Sequence, residues 1–261
     1  MNWETLRLEG SGAVRHLVLS RPEKHNAIDN RMLRELTEVC LAIEELPDCR
    51  CVIVRGEGPS FSSGADLSEA QSHGGSTGQT LARAKAGARA IDSLTDLGPI
   101  TVAAVHGHAI GGGACLAMAC DFRIGARGAS VSIREASLGL SLSWHSVPNV
   151  VHLVGATRAK EMIIFGEAYP AEKMLEYGFF DQVVAEGDLL PTAEALAQKV
   201  ARQPPLPVRM TKASVNAVVK ALDRAVSHLD SPGVAFTAAS SDSQRARQTF
   251  FSGETAEWEN G

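Results

Sequence analysis

The chain has no long run of basic residues and a formal net charge of −5 over 261 residues, which argues against a nucleic-acid partner held by its phosphates. Its five cysteines, Cys40, Cys49, Cys51, Cys115 and Cys120, are odd in number and form no C-x-x-C pair. Neither a disulfide framework nor a zinc ribbon is indicated, and a reducing cytoplasm fits them best. The opening MNWETLRLEGSG lacks a basic segment followed by an apolar one and does not read as a secretion signal. Also missing are G-x-G-x-x-G and G-x-x-x-x-G-K-[ST], which removes the main support for dinucleotide and P-loop sites. No internal repeat marks a solenoid. One absence points elsewhere: Leu97 to Cys120 contains no Asp, Glu, Lys or Arg and is long enough to cross a bilayer. Pro99, His106, His108 and three successive glycines would break a lipid-facing helix there, so a buried strand-turn-helix is expected and a membrane partner is not.

What is present is the composition of an ordinary globular protein, 44% hydrophobic and 21% charged, on a chain long enough to bury a large core. VRHLVL at 14–19 and the β-branched run Cys51-Val52-Ile53-Val54 predict strands, as do 100–105, 121–126 and 129–133. Met32, Leu33, Leu36, Val39, Cys40 and Ile43 recur at steps of three and four. That spacing predicts a helix over 32–46, capped by Asp29 or Asn30 and ended by Pro47. Residues 79–97 read as another helix behind QSHGGSTG at 71–78, a polar, glycine-rich loop of the kind that borders binding sites. Beyond about residue 155 the pattern turns helical, over 157–165, 170–177, 189–202, 207–227 and 232–249. Strands adjoining helices through the first half favour a layered α/β architecture.

Two glycine-marked segments, Gly64-Ala65-Asp66-Leu67 and Gly111-Gly112-Gly113, fall where an apolar strand runs into a turn or helix. Three adjacent glycines by themselves indicate a tight turn or close helix–strand packing. Two such turns together can aim backbone N–H groups at one point, which is how a site without a metal stabilises an oxyanion, and a thioester or ester carbonyl is the substrate this suggests. His106 and His108 form an H-x-H pair that would share one face of a strand, leaving a metal site conceivable but without further assignable ligands.

These segments have company. RPEKHNA at 21–27, FSSGADLSEA at 61–70, AAVHGHAIGGGACLAMACD at 103–121 and REASLGL at 134–140, in this order and spacing, resemble the crotonase superfamily of enoyl-CoA hydratases and isomerases. Val154 to Ala159, KMLEYGFFDQVV at 173–184 and Pro207 to Lys212 extend the likeness over most of the chain. The resemblance implies an α/β fold with a crotonase-like ββα spiral core over 1–200 and a helical C-terminal trimerisation region over 201–261. It implies a homotrimer or dimer of trimers, and no cofactor or metal beyond the coenzyme A that is part of an acyl-CoA substrate. It further implies that the amides of Ala65 and Gly112 hold the thioester oxygen and that Glu135 is the acid/base. Read without the resemblance, Glu135 is first of all a surface or helix-capping carboxylate. Ala65, Asp66, Leu67 and Ser68 would line the coenzyme A path with Arg21, Lys24 and His25 beside it, although Lys24 reads equally as a solvated surface lysine.

Two departures bear on the reaction. Hydratases of the family place a second glutamate three residues after the oxyanion glycine, where this chain has Cys115, so double-bond isomerisation suits the residues better than hydration. Cys115 is a small buried residue or, near a helix N-terminus, a thiolate nucleophile. SLSWHSVPN at 141–149 stands where many relatives carry a Pro-acidic-Gly-Gly stretch. Here Trp144 is expected to shape the acyl pocket rather than react, and His145 reads as an auxiliary base or as a surface or pore-rim histidine. Phe250 and Phe251 fit the family's last helix, while SGETAEWENG lacks its basic residues.

Overall fold

A computed structural model describes residues 3–72, 76–252 and 257–259. The chain opens with strands β1 (Leu6–Glu9) and β2 (Val14–Leu19), helix α1 (Asn30–Glu44) and strand β3 (Cys51–Gly56). Asp29 caps α1 by accepting the amide of Met32 at 2.7 Å. After β3 come α2 (Leu67–Ser72), α3 (Thr77–Thr95), β4 (Ile100–Val105), β5 (His108–Ile110) and α4 (Gly112–Met118). The uncharged stretch is therefore a strand-turn-helix, and among the described residues no helix is long and apolar enough to cross a membrane.

Strands β6 (Phe122–Ala126) and β7 (Ser130–Ser132) precede helices α5 (Ser146–Val154) and α6 (Ala156–Phe165). The short strand β8 (Tyr169–Pro170), α7 (Ala171–Tyr177) and β9 (Gln182–Val184) follow. The remainder is helical: α8 (Leu189–Ala201), α9 (Pro205–Val219), α10 (Arg224–Ser227), α11 (Asp230–Ala238) and α12 (Ser241–Ser252). The expected helix at 207–227 is broken after Val219, and the one at 232–249 is two helices that part around Ala239 and Ser240. Positions 250 and 251 belong to α12, whereas 253–256 and residues 73–75 of the glycine-rich loop lie outside the described residues. The opening strand β1, the helix α5 and the short strands β5 and β9 carried too little periodic signal to be expected.

Six strands form the main sheet in the order β1-β2-β3-β4-β6-β9, antiparallel only between β1 and β2. A parallel sheet needs cover on both faces, and alternation along its central strands supplies two cores. Val52, Val54, Ala103 and Val105 point into the one walled by α1, α3 and α4, whereas Cys51, Ile53, Val102 and Ala104 point into the other. There they meet Leu189, Ala193, Ala197 and Ala201, a stripe at four-residue spacing on α8. A second sheet, β5-β7-β8, stands beside the first. The bond from Phe61 N to His106 O and the isolated bridge between Ser62 and Ala109 bring the segment after β3 against β5, which is how the two glycine segments become neighbours.

A charged clamp ties the helical part to this sheet. Lys212 of α9 is buried, with its Nζ 2.7 Å from Asp121 Oδ2 and 3.0 Å from the carbonyl of Pro99. Thr101 donates to the same carboxylate from its amide and hydroxyl. Lys212→Ala leaves Asp121 without its countercharge in a partly buried place, and is expected to lower unfolding free energy by about 3 kcal/mol in urea titration.

Candidate functional site

The site begins with close backbone approaches. Gly64 has φ +85°, and a Cβ there would strike the carbonyl oxygen of Ile110 and stand 3.4 Å from the amide nitrogen of Gly112. Only glycine fits both the conformation and the space. Ile28 pairs with Ala65 through bonds from Ile28 N to Gly64 O and from Asp66 N to Ile28 O, so the Ala65 amide is not used in that bridge. The Gly112 amide opens α4, where helix N–H groups have no partner within the helix. Among the described residues no protein acceptor meets either amide. Ala65 is exposed and Gly112 is buried.

Glu135 reaches the same turn. Gly111 has φ +49°, and a Cβ on it would lie 2.8 Å from Glu135 Oε1. Oε2 is sealed from solvent with no hydrogen-bond partner. Burial raises the Glu135 pKa to about 7, with the backbone groups of Glu135 and Arg134 offsetting part of the cost. A carboxyl that titrates there can both hold and release a proton at neutral pH.

Cys115 lies one helical turn beyond Gly111, its amide donating to the Gly111 carbonyl, and is almost completely buried. Burial, and then the nearby Glu135 charge, push its thiol well above the ordinary value. Desolvation outweighs any helix N-terminal effect, so Cys115 is a neutral thiol rather than a thiolate nucleophile.

His145 is drawn elsewhere. Its Nδ1 lies 3.0 Å from both carboxylate oxygens of Asp92 on α3, and the hydrogen bond to Asp92 raises its pKa. The ring faces a cavity of about 640 Å³ whose walls include Asp92, Asp96, Lys212 and Lys220 but neither Glu135 nor the glycine turns. Trp144, by contrast, is buried against the site: a Cβ on Gly112 would come within 2.5 Å of its Cζ3. Trp144 and His145 both hold left-handed backbone, at φ +61° and +54°. They keep a glycine-like conformation without glycine, at a cost of about 1–2 kcal/mol each.

Beside Ala65, Asp66 is engaged by Arg21 and Ser68. Burial opposes its ionisation, but hydrogen bonds from Ser68 and Arg21 prevail and hold its pKa below the usual range. Arg21 also meets Asp29 at 3.3 Å. This latch fixes the turn, leaving Lys24, His25 and Ser68 exposed around it and Leu67 half-buried. His106 and His108 do not share a strand face, because β4 ends at Val105 and Gly107 turns at φ +55°. Their imidazoles meet the Gly58 carbonyl and the Ser130 hydroxyl separately, and among the described residues no group of three His, Cys, Asp or Glu side chains is arranged to hold a metal.

Two features went unread in the sequence. The C-terminal helices fold back on the loop carrying Glu135 and Trp144: Asp230 accepts the His145 amide at 2.9 Å, Thr237 the Ser141 amide at 3.1 Å, and Ser243 donates to the Leu138 carbonyl at 3.3 Å. Gly87 on α3 is the other, since a Cβ there would collide with the Trp144 indole. A glycine inside a helical pattern was the available signal for that close approach.

This arrangement agrees with the comparisons to known proteins. The family model described as enoyl-CoA hydratase/isomerase matches residues 9–261, and the chain belongs to that family. It is 31% identical over 217 residues to a short-chain-enoyl-CoA hydratase of Clostridium acetobutylicum, covering 83% of this chain and 82% of the relative. It is 33% identical over 210 residues to a carnitinyl-CoA dehydratase of Shigella flexneri, covering 80% and 79%. A crystal structure of an enoyl-CoA hydratase/isomerase from Xanthobacter autotrophicus Py2 superposes with a TM-score of 0.89 at 26% identity, over 97% of this chain and 95% of that one. The expected crotonase-type α/β fold and acyl-CoA enzyme class therefore hold.

The buried carboxyl has a measurable consequence. Below pH 4.5 Glu135 is protonated in both folded and unfolded chains and pH has no effect through it. Between 4.5 and about 7 the unfolded chain releases the proton while the folded one keeps it, so stability falls as pH rises. Glu135→Gln removes that loss, and its stability advantage over the wild type in urea titration is expected to grow by about 3 kcal/mol between pH 4.5 and 8.

Proposed function

We propose that the protein moves the double bond of an enoyl-CoA between the 3 and 2 positions, through a dienolate held at the thioester oxygen. The observation that carries this reading is the single Glu135 carboxyl: buried, unpartnered at Oε2 and titrating at about 7 beside the Gly111–Gly112 turn, with Cys115 where a second acid would stand. The amides of Ala65 and Gly112 donate to the thioester oxygen, and loss of one such donor typically costs about 3 kcal/mol of barrier. With charge accepted there, the C2 proton of a 3-enoyl thioester becomes acidic enough for the Glu135 carboxylate to remove. The electron pair delocalises over the dienolate, and the same carboxyl returns the proton to C4. One group serves both transfers and no water needs activation.

Exposed Lys24, His25 and Ser68, together with Leu67 and the open Ala65, form the mouth along which we place the coenzyme A moiety. The exposed apolar side chains Leu206, Met210, Val215 and Val218 on α9, with Leu222 and Phe236 beyond it, support a homotrimer or dimer of trimers in which further copies cover them. Five buried, unpaired cysteines support a cytoplasmic setting. A second reading, hydration of a 2-enoyl-CoA by Glu135 alone, is favoured by the hydratase and dehydratase names of the relatives.

Panels of 3-enoyl-CoA and 2-enoyl-CoA thioesters separate the readings. Isomerisation is expected to exceed hydration, with kcat/KM rising with pH to half its plateau at about 7 as Glu135 ionises. Glu135→Gln is expected to lower it by about a thousandfold. Undiminished turnover in that variant, or hydration faster than isomerisation in the wild type, overturns the proposal, and coenzyme A binding without turnover indicates a binding protein instead. In a separate assay, Cys115→Glu is expected to raise hydration of the 2-enoyl thioester by supplying a second carboxylate.

A further inference from the structure

The acyl group of a thioester held at Ala65 and Gly112 has to extend inward, because the exposed mouth is taken by coenzyme A. What stands on that inner side is the indole of Trp144. Its six-membered ring lies against the absent side chain of Gly112, together with the Ile28 side chain, whose Cδ1 would be 3.3 Å from a Cβ on that glycine. The pyrrole edge of the indole lies against the absent side chain of Gly87 on α3, where a Cβ would collide with Nε1, Cε2 and Cδ1. Three local choices that run against ordinary preference meet at this one ring. A bulky aromatic adopts left-handed backbone, a glycine interrupts the middle of a long helix, and a glycine opens a second helix beside it. Such a concentration of locally unfavourable choices is the mark of a functional constraint.

We infer that Trp144, seated in the notch made by Gly87 and Gly112, is the end wall of the acyl compartment and restricts the enzyme to short-chain acyl-CoA thioesters. This rests on the acyl-CoA reading above but not on which reaction follows. Trp144 is held from several directions. Leu142 beside it is buried, the Ser146 hydroxyl donates to its carbonyl, and the next residue is tied to Asp92 on α3 and Asp230 on α11. An indole anchored in this way does not yield easily to a longer chain, and discrimination in a filled apolar pocket grows with each methylene that has no space.

Calorimetric binding of coenzyme A, butyryl-CoA and decanoyl-CoA tests this without turnover. The wild type is expected to bind butyryl-CoA more tightly than decanoyl-CoA by about tenfold or more. Trp144→Gly suits the φ of +61° and opens the compartment, so it is expected to abolish or reverse that ratio. Trp144→Phe, a smaller change that keeps the core filled, is expected to shift the ratio part of the way and carries the test should the glycine variant not fold. Equal affinities in the wild type, or a ratio unchanged in the folded variants, overturns the inference while leaving the acyl-CoA reading intact. Failure of both thioesters to bind overturns that reading and the inference together.

Discussion

The site depends on backbone approaching backbone where no side chain intervenes. Gly64 meets the Ile110 carbonyl and the Gly112 amide, and Gly111 meets the carboxyl of Glu135. Any Cβ at these positions would separate the segment after β3 from the segment after β5, and with them the two amides that no protein acceptor satisfies among the described residues. Positive φ at Gly64 and Gly111 makes the constraint conformational as well as steric. The parallel strands, buried on both faces, deliver the chain to this point, and the glycines let it close.

Closure sets the electrostatics. Oε2 of Glu135 is sealed from water, so the charged form is disfavoured and the proton affinity rises to about 7. The same dry environment pushes Cys115 the other way from reactivity, keeping it a neutral thiol. One environment therefore yields one titrating group near neutrality beside one inert neighbour. The C-terminal helices maintain this by bonding to the backbone of the loop from Leu138 to His145 through Ser243, Thr237 and Asp230. A region that reads from sequence as an appendage is thus part of the structure that holds the buried carboxyl and the indole in place.

Much of the fold was legible because its signals are local. Alternation in VRHLVL and the run at Cys51 to Val54 marked strands at the observed places, and the three-and-four spacing from Met32 to Ile43 marked α1, with Asp29 as its cap. The short strands β5 and β9 were not legible, since three residues carry no period and their pairing partners are far along the chain. Within the candidate site, the glycine turns and Glu135 could be named because their neighbours form recognisable motifs. His145 could not be directed correctly, since its partner Asp92 lies 53 residues away on another element. The H-x-H pair failed for the opposite reason, a local one: Gly107 turns the chain between the two histidines and ends the strand they were expected to share.

By itself the sequence determined where glycines permit left-handed turns, which faces of helices and strands are apolar, and that position 115 offers a thiol where a carboxylate was wanted. The tertiary structure alone decided that Glu135 is sealed at the Gly111 turn and titrates at about 7, that His145 turns toward Asp92, and that Trp144 is wedged between Gly87 and Gly112. The physical reason is that conformational preference and hydrophobic period belong to neighbouring residues. Burial, proton affinity and steric exclusion belong to whatever distant segments packing brings into contact.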